Sequence, residues 1–393
     1  MKFEEVKALY DQYVTLNYSR LPIAVERAQG SKLYDVEGKE YIDLFPGWAV
    51  SSLGYCHPAI VKALKQQAGK LIHVPNNFYI PEQAMLAKAV VERAFPGKMF
   101  FCNSGAEAIE SALKLARMYG KNRRYKIVSM ENSFHGRTFG ALSATGQEKY
   151  QRDFRPLVPG FSYVPFNDLA AVSRAIDEET VAILVEPIQG EGGVNIAAQD
   201  YMAGLRRLTQ ERDVLLIFDE VQTGFARTGE WFAFKHYGVE PDIMCMAKAL
   251  GGGMPIGAML AGAKVKDLFA PGTHASTFGG NSLACAVGLA VIKTIEKGKL
   301  LARAKQIGEK FKERFTKWKS RFPKIKDVRG LGAMWGIELE VEGKPVVEAC
   351  LKNGVNINCT HNTVLRIMPA ITIEDEVLDK GLSVVEEALG QVL

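Results

Sequence analysis

No stretch of the 393-residue chain is apolar for the roughly 20 consecutive positions that a membrane-spanning helix requires. The sequence therefore carries no membrane-spanning expectation. Cysteine is sparse: Cys56, Cys102, Cys245, Cys285, Cys350 and Cys359 lie far apart, with no CxxC pair and no histidine spacing that reads as a zinc site. No metal is expected, and reduced thiols in the cytoplasm are the simplest account. The six histidines, His361 among them, show no ligand spacing and read as structural. A dominant charge is also missing: 49 basic against 44 acidic residues leave a formal +5, which calls for no nucleic-acid partner. The start, "MKFEEVKALYDQYV", lacks the uninterrupted apolar core of a signal peptide and patterns as an amphipathic helix. Internal repeats and low-complexity segments are absent.

What the chain does have is alternation. "PIAVERAQGSKLYDVEGKEYIDLF" (22–45) reads as short strands broken by Gly30 and by Glu37-Gly38, a β-meander. Seven strand-length apolar runs follow at 98–103, 124–130, 160–166, 181–187, 214–220, 242–248 and 256–262, most of them separated by amphipathic stretches such as "GAEAIESALKLARMYG". Runs apolar on both faces and separated by helices predict a mostly parallel α/β sheet with helices on both sides. The last two runs are too close for a crossover helix, so one of them should run antiparallel. After about residue 285 the texture changes. A helix is expected over 299–326, with Leu300, Ala304, Ile307, Phe311, Phe315 and Trp318 on one face and basic residues on the solvated other. Then come "DVRGLGAMWGIELE" as turn and strand, "NTVLRIMPAITI" as strand, and a final helix. The expected division is a joining segment 1–45, a large unit 46–285 and a small α+β unit 286–393.

Three of the apolar runs end in residues that suit one cleft. "FFCNSGAEAIESALKLAR" turns from strand to helix with Ser104 as N-cap and Gly105 allowing close approach, a place for a phosphate. "VLLIFDE" ends with Asp219, a carboxylate in want of a cationic partner. "DIMCMAKALGGG" ends with Lys248, and a desolvated lysine there is a nucleophile toward a carbonyl. Each signal is weak alone. One cofactor uses all three together: pyridoxal phosphate, whose aldehyde takes a lysine, whose ring nitrogen takes an acid, and whose phosphate takes a cradle.

"CNSGAEAIESALKLAR", "SFHGRT", "EPIQGEGG", "IFDEVQTGFARTG", "PDIMCMAKALGGGMPIGAML" and "STFGGNSLACA" stand in an order and at distances that resemble the class III pyridoxal-phosphate aminotransferases of the fold type I superfamily. The resemblance spans nearly the whole chain. It implies that Lys248 carries the cofactor and then moves the proton, that Asp219 faces the ring nitrogen, and that Gln222 contacts the ring hydroxyl. Ser104, Gly105 and Ala106 would cup the phosphate and Phe134 would stack on the ring. Thr277, with Ser276 beside it in "STFGGN", would reach the phosphate site of a neighbouring subunit, so the active unit would be a homodimer with shared sites.

The same resemblance implies an ω-aminotransferase that moves the terminal amino group of N-acetylornithine to 2-oxoglutarate. Arg366 would bind the carboxylate beside the reacting carbon, Glu191 would neutralise Arg366 when an ω-amine is present, and Arg137 would clamp the far carboxylate. Read from the residues alone, Glu191–Arg366 is an ordinary structural salt bridge, and Glu186 either organises the ring-hydroxyl side or caps a turn. Trp48 and "VPNNFYIPEQ" (74–83) depart from the family's usual residues near the substrate entrance and leave the acyl preference open. Ornithine, succinylornithine, succinyl-diaminopimelate, a carrier-linked lysine and 4-aminobutyrate are alternative donors. A pyridoxal-dependent mutase or decarboxylase is the alternative reaction. The "RGLGAMWG" glycines lead into a strand rather than a helix, which argues against a dinucleotide site.

Overall fold

In the computed structural model, which describes residues 1–393, the seven expected strands form one sheet. They are β4 (Gly97–Cys102), β5 (Lys126–Met130), β6 (Phe161–Val164), β7 (Thr180–Val185), β10 (Leu215–Asp219), β11 (Ile243–Met246) and β12 (Gly257–Gly262), numbered along the chain with the shorter strands given below. Their order is β4-β12-β11-β10-β7-β5-β6. The β10 pairings with β7 and β11 are parallel, as are those of β5 with β6 and β7, whereas β12 runs antiparallel to both β11 and β4. The reversed strand is the one the short connection demanded.

Both faces of this sheet are covered because its central strands carry apolar residues on both. Along β10, Leu216 and Phe218 enter one core while Leu215 and Ile217 enter another on the opposite face. The helix Gly105–Tyr119 closes that second face with Ala108, Ile109, Ala112, Leu113 and Ala116 buried. Such strands bury about 1.5–3 kcal/mol per large side chain, and their polar ends are left at the sheet's edge.

Three smaller sheets complete the chain. The meander β1 (Val25–Gln29), β2 (Lys32–Asp35) and β3 (Glu40–Asp43) is joined by β15 (Val355–Asn356), which lies parallel to β3 and ties the two ends of the chain together. Strands β13 (Ile325–Leu331), β14 (Met334–Leu339), β17 (Val364–Ile367) and β16 (Asn358–Thr360) form a second antiparallel sheet, and β8 (Ile188–Gln189) pairs with β9 (Asn195–Ile196) as a hairpin.

The helix Leu300–Arg321 buries the six expected apolar residues together with Gly308. The "DVRGL" segment corrects the sequence reading: it is strand β13, and the turn is confined to Gly332 and Ala333. Gly332 adopts φ +56°, and a Cβ there would meet the Thr228 backbone, so this glycine serves the tight turn rather than a longer loop. The N-terminal helix Phe3–Tyr13 forms as expected, but none of its residues is buried in the single chain. No helix is long and apolar enough to cross a membrane.

Candidate active site

The carboxyl ends of β4, β5, β7, β10 and β11 open on one cleft, the place where ligands gather in such sheets. It holds a cavity of about 470 Å³ lined by Ser104, Gly105, Ala106, Phe134, Arg137, Glu186, Glu191, Asp219, Gln222 and Lys248, among others. Ten residues singled out from the sequence thus converge there.

Ser104 is the N-cap of Gly105–Tyr119: its Oγ accepts from the Glu107 N–H at 3.2 Å, while the Glu107 carboxylate reaches back to the Asn103 N–H at 2.7 Å. This reciprocal capping fixes the helix start, where the N–H groups of the first turn have no carbonyl within the helix to bond. The neighbouring strand β12 begins at Gly257, where a Cβ would strike the Ser104 carbonyl.

Asp219 closes β10 and is 5% exposed. Its Oδ1 accepts from the Val221 N–H at 3.0 Å and its Oδ2 lies 2.8 Å from His135 Nδ1. The opposite ring nitrogen of His135 is buried without a partner. An N–H at that position would have no acceptor, so Nδ1 carries the proton and donates to Asp219. Sequence reasoning took the histidines as structural and missed this pairing. The only available signal was the position of His135 inside "SFHGRT", because the two residues are 84 positions apart.

Lys248 lies just past β11 with φ +44°. Burial pulls its pKa below that of an ordinary lysine, against the opposing pull of Glu191 and Asp219. The neutral, nucleophilic amine is therefore more accessible than on a surface lysine. Glu186 accepts from the Phe134 N–H at 2.8 Å and the Gly190 N–H at 3.1 Å, which makes it a cap for two turns at the cleft wall. Burial and the nearby Asp219 charge push its pKa well up.

Glu191 sits in the turn between β8 and β9, and Arg366 on β17 of a different sheet reaches it. Arg366 Nη1 and Nη2 donate to the two carboxylate oxygens at 2.6 and 3.0 Å. Burial alone would raise the Glu191 pKa, but the attraction of Arg366 outweighs it and leaves the carboxyl below its usual value. Gln222 Nε2 donates to Glu191 Oε1 at 3.3 Å, and Gln222 Oε1 is buried without a partner. Arg137 lines the cleft with its guanidinium 4.1 Å from the Tyr150 ring centroid, and no carboxylate of the chain pairs with it.

Two expected site residues are not brought to this cleft. Ser276 and Thr277 line a separate cavity with Asn103, Glu107 and Ser111, where Ser276 Oγ accepts from the Gly279 N–H at 3.0 Å. Within one chain neither residue faces Lys248.

The chain matches the family model described as aminotransferase class-III over residues 13–389. The chain belongs to the class-III aminotransferases. It is 49% identical to the acetylornithine aminotransferase of Aquifex aeolicus over 96% of this chain and 100% of that one, and 46% identical to that of Methanocaldococcus jannaschii over 95% of each. Among solved structures it superposes on the ornithine aminotransferase of Toxoplasma gondii with TM-score 0.96 at 34% identity, covering 100% of this chain and 95% of that one. The acetylornithine aminotransferase of Elizabethkingia anophelis gives TM-score 0.88 at 33% identity over the whole of both chains.

The protein is thus a pyridoxal-phosphate-dependent transaminase with the fold type I architecture, and its substrates are an amino donor and a keto acid. The cleft fits the cofactor. It offers a lysine of lowered pKa, a carboxylate held by a histidine, a capped helix start with free N–H groups, and a buried amide oxygen, Gln222 Oε1, still lacking a donor.

Proposed function

We propose that this enzyme moves the terminal amino group of N-acetylornithine to 2-oxoglutarate, giving N-acetylglutamate semialdehyde and glutamate in arginine biosynthesis. The observation that carries this reading is that Glu191, a lining residue of the Lys248 cleft, is held in a bidentate pair by Arg366 behind it. Full-length relatives named acetylornithine aminotransferase support it.

Lys248 would hold pyridoxal phosphate, Asp219 would face its ring nitrogen, Gln222 its ring hydroxyl, Phe134 its ring face, and Ser104, Gly105 and Ala106 its phosphate. When bound, the cofactor supplies an aldehyde to receive the amino group and an electron-poor ring to accept the electron pair released as a C–H bond breaks. The chain then has three tasks. Lys248, once released, would take the proton from the carbon bearing the amino group and return it elsewhere; burial lowers its pKa and so favours the neutral amine that a base requires. Arg137 holds the substrate's distal carboxylate. Glu191 and Arg366 decide what sits beside the reacting carbon: paired, they present no free cation to an ω-amine, whose reacting carbon has no carboxylate. With Glu191 withdrawn, Arg366 offers two parallel N–H donors to the carboxylate of 2-oxoglutarate or glutamate.

The active unit is proposed to be a homodimer in which Thr277 and Ser276 complete the partner's phosphate site. Asn76 ties their loop to the segment before it through the Ser276 and Gly279 carbonyls at 3.1 and 3.0 Å, and Ile72, Phe78, Tyr79 and Phe278 are exposed on these two segments. That apolar surface suits a subunit contact. The large unit 46–285 is proposed to carry the cofactor and the units 1–45 and 286–393 to act together, a division supported by the β3–β15 pairing. The six free cysteines fit a cytoplasmic setting.

The test is a set of single half-reactions. The pyridoxal form is mixed with N-acetylornithine, succinylornithine, ornithine or 4-aminobutyrate, and the loss of the cofactor's absorbance is followed. Fast reaction with N-acetylornithine in preference to the others is expected. Preference for another donor keeps the aminotransferase and overturns the substrate.

A further inference from the structure

Arg366 is held by more than its salt bridge. Its Nε donates to Asn358 Oδ1 at 2.8 Å and its Nη1 to the Gly190 carbonyl at 3.1 Å, in addition to the two bonds to Glu191. Asn358 and Arg366 are direct cross-strand partners on β16 and β17, so the register itself delivers the amide to the guanidinium. The flat face is covered too. The guanidinium carbon lies 4.6 Å from the Phe45 ring centroid and 5.6 Å from that of Trp48, and the two rings meet edge to face at 5.8 Å.

Trp48 occupies an unusual backbone. It and Ala49 adopt φ of +59° and +65°, a region disfavoured for a bulky residue. Yet Trp48 is 56% exposed, so core packing does not require the conformation. What the conformation achieves is an indole beside Phe45 and Arg366, on the wall of a cavity of about 980 Å³ that Phe45 and Asn358 also line. Strain of this kind collects where a side chain must be aimed.

The main chain at Glu191 is tethered as well, since its carbonyl accepts from Thr360 Oγ1 at 2.7 Å. A withdrawal of Glu191 therefore falls to its side chain, which is bonded to Arg366 and Gln222. We propose that Phe45, Trp48 and Asn358 form a fixed receptacle that keeps the Arg366 guanidinium in place when Glu191 withdraws, and so set the affinity for the carboxylate beside the reacting carbon. Two of the five guanidinium N–H groups stay bonded throughout and both aromatic rings stay in contact. The arriving carboxylate therefore meets a pre-oriented fork instead of a long side chain that must first be ordered. Trp48 and Asn358 are positioning residues in this scheme, and the inference rests on the Glu191 switch described above.

The test separates the two half-reactions. Trp48→Ala and Asn358→Leu are expected to raise the KM for 2-oxoglutarate about tenfold while leaving kcat and the N-acetylornithine half-reaction nearly unchanged. Trp48→Phe, which keeps a ring, and Asn358→Asp, which keeps the acceptor, should restore most of the affinity. Equilibrium binding of glutarate, an unreactive dicarboxylate, to the pyridoxal form should weaken in parallel. A KM effect confined to the donor would assign Trp48 to acyl selection and overturn the proposal, as would equal losses in both half-reactions. Glu191→Ala serves as the control. If it slows only the donor half-reaction while the Trp48 and Asn358 variants are unselective, this inference alone falls; if Glu191→Ala slows both alike, the switch reading falls and takes the inference with it.

Discussion

The two ends of the cleft are anchored by different kinds of structure. Asp219 is the last residue of a central strand hydrogen-bonded on both sides, and Lys248 follows the next strand. Glu191 instead lies in the turn of a two-strand hairpin and meets an arginine from a separate sheet. The chemical end is fixed to the most deeply buried part of the fold, whereas the recognition end is an ion pair spanning two sheets that a carboxylate swing can open. One cleft can therefore keep a single set of reacting groups while accepting two unlike substrates.

The sharpest break of this comparison is at the fixed end. Lys248→Ala should lower turnover by on the order of 10⁴-fold or more, the scale of a lost general base and nucleophile, in both half-reactions alike. Glutamate formation measured by a coupled assay checks it, and retention of a tenth of the activity would remove Lys248 from its role. At the movable end the loss should be divided between activity and stability. Arg366→Leu leaves Glu191 without its counter-ion and should cost about 3–5 kcal/mol in chemical denaturation, along with the 2-oxoglutarate half-reaction. An unchanged denaturation midpoint would mean that the carboxylate finds water or Gln222 instead.

The difference between the ends also marks what the sequence could reveal. Strand β10 and Asp219 were legible because a fully buried apolar strand must end somewhere polar, and the same holds for β11 with Lys248, whereas Ser104 was legible as the N-cap of the helix after β4. The reversal of β12 followed from chain length alone. By contrast, β8, β9 and β15 have two residues each, too few to show any period. Strand β13 was hidden because Gly330, with Gly332 just after the strand, imitates a turn. The Glu191–Arg366 contact joins residues 175 positions apart, so only the family resemblance suggested it. Asn358 carried no signal of its own and His135 only its place inside "SFHGRT", because a positioning partner is defined by where its neighbour ends up.

Glu220, next to Asp219, tests how rigid the fixed end is. Burial pushes its pKa up to about 7, against donation from Thr223 and from the Ala233 and Phe234 N–H groups at 2.9 and 2.7 Å. The folded state therefore holds a proton that the unfolded chain releases near the ordinary glutamate value of about 4.3. Its contribution to stability is fully present below that value and is lost as pH rises to about 7, amounting to about 3 kcal/mol over the window. Glu220→Gln should flatten that slope in denaturation curves taken between those two pH values. A slope equal to that of the parent protein would place the titration elsewhere.

The smallest effect should come from His135, which acts only through Asp219. With Nε2 buried and unpartnered, it is Nδ1–H that meets the Asp219 carboxylate and orients it. His135→Phe preserves the buried shape and removes the donor. It should weaken retention of pyridoxal phosphate about tenfold, the worth of one hydrogen bond to a charged group, and shift the pH dependence of the bound cofactor's absorbance. His135→Asn offers an amide donor to Asp219 and should recover part of both. If His135→Phe binds the cofactor as tightly as the parent with an unchanged spectrum, the Val221 N–H and the strand end alone fix Asp219, and the histidine merely fills space.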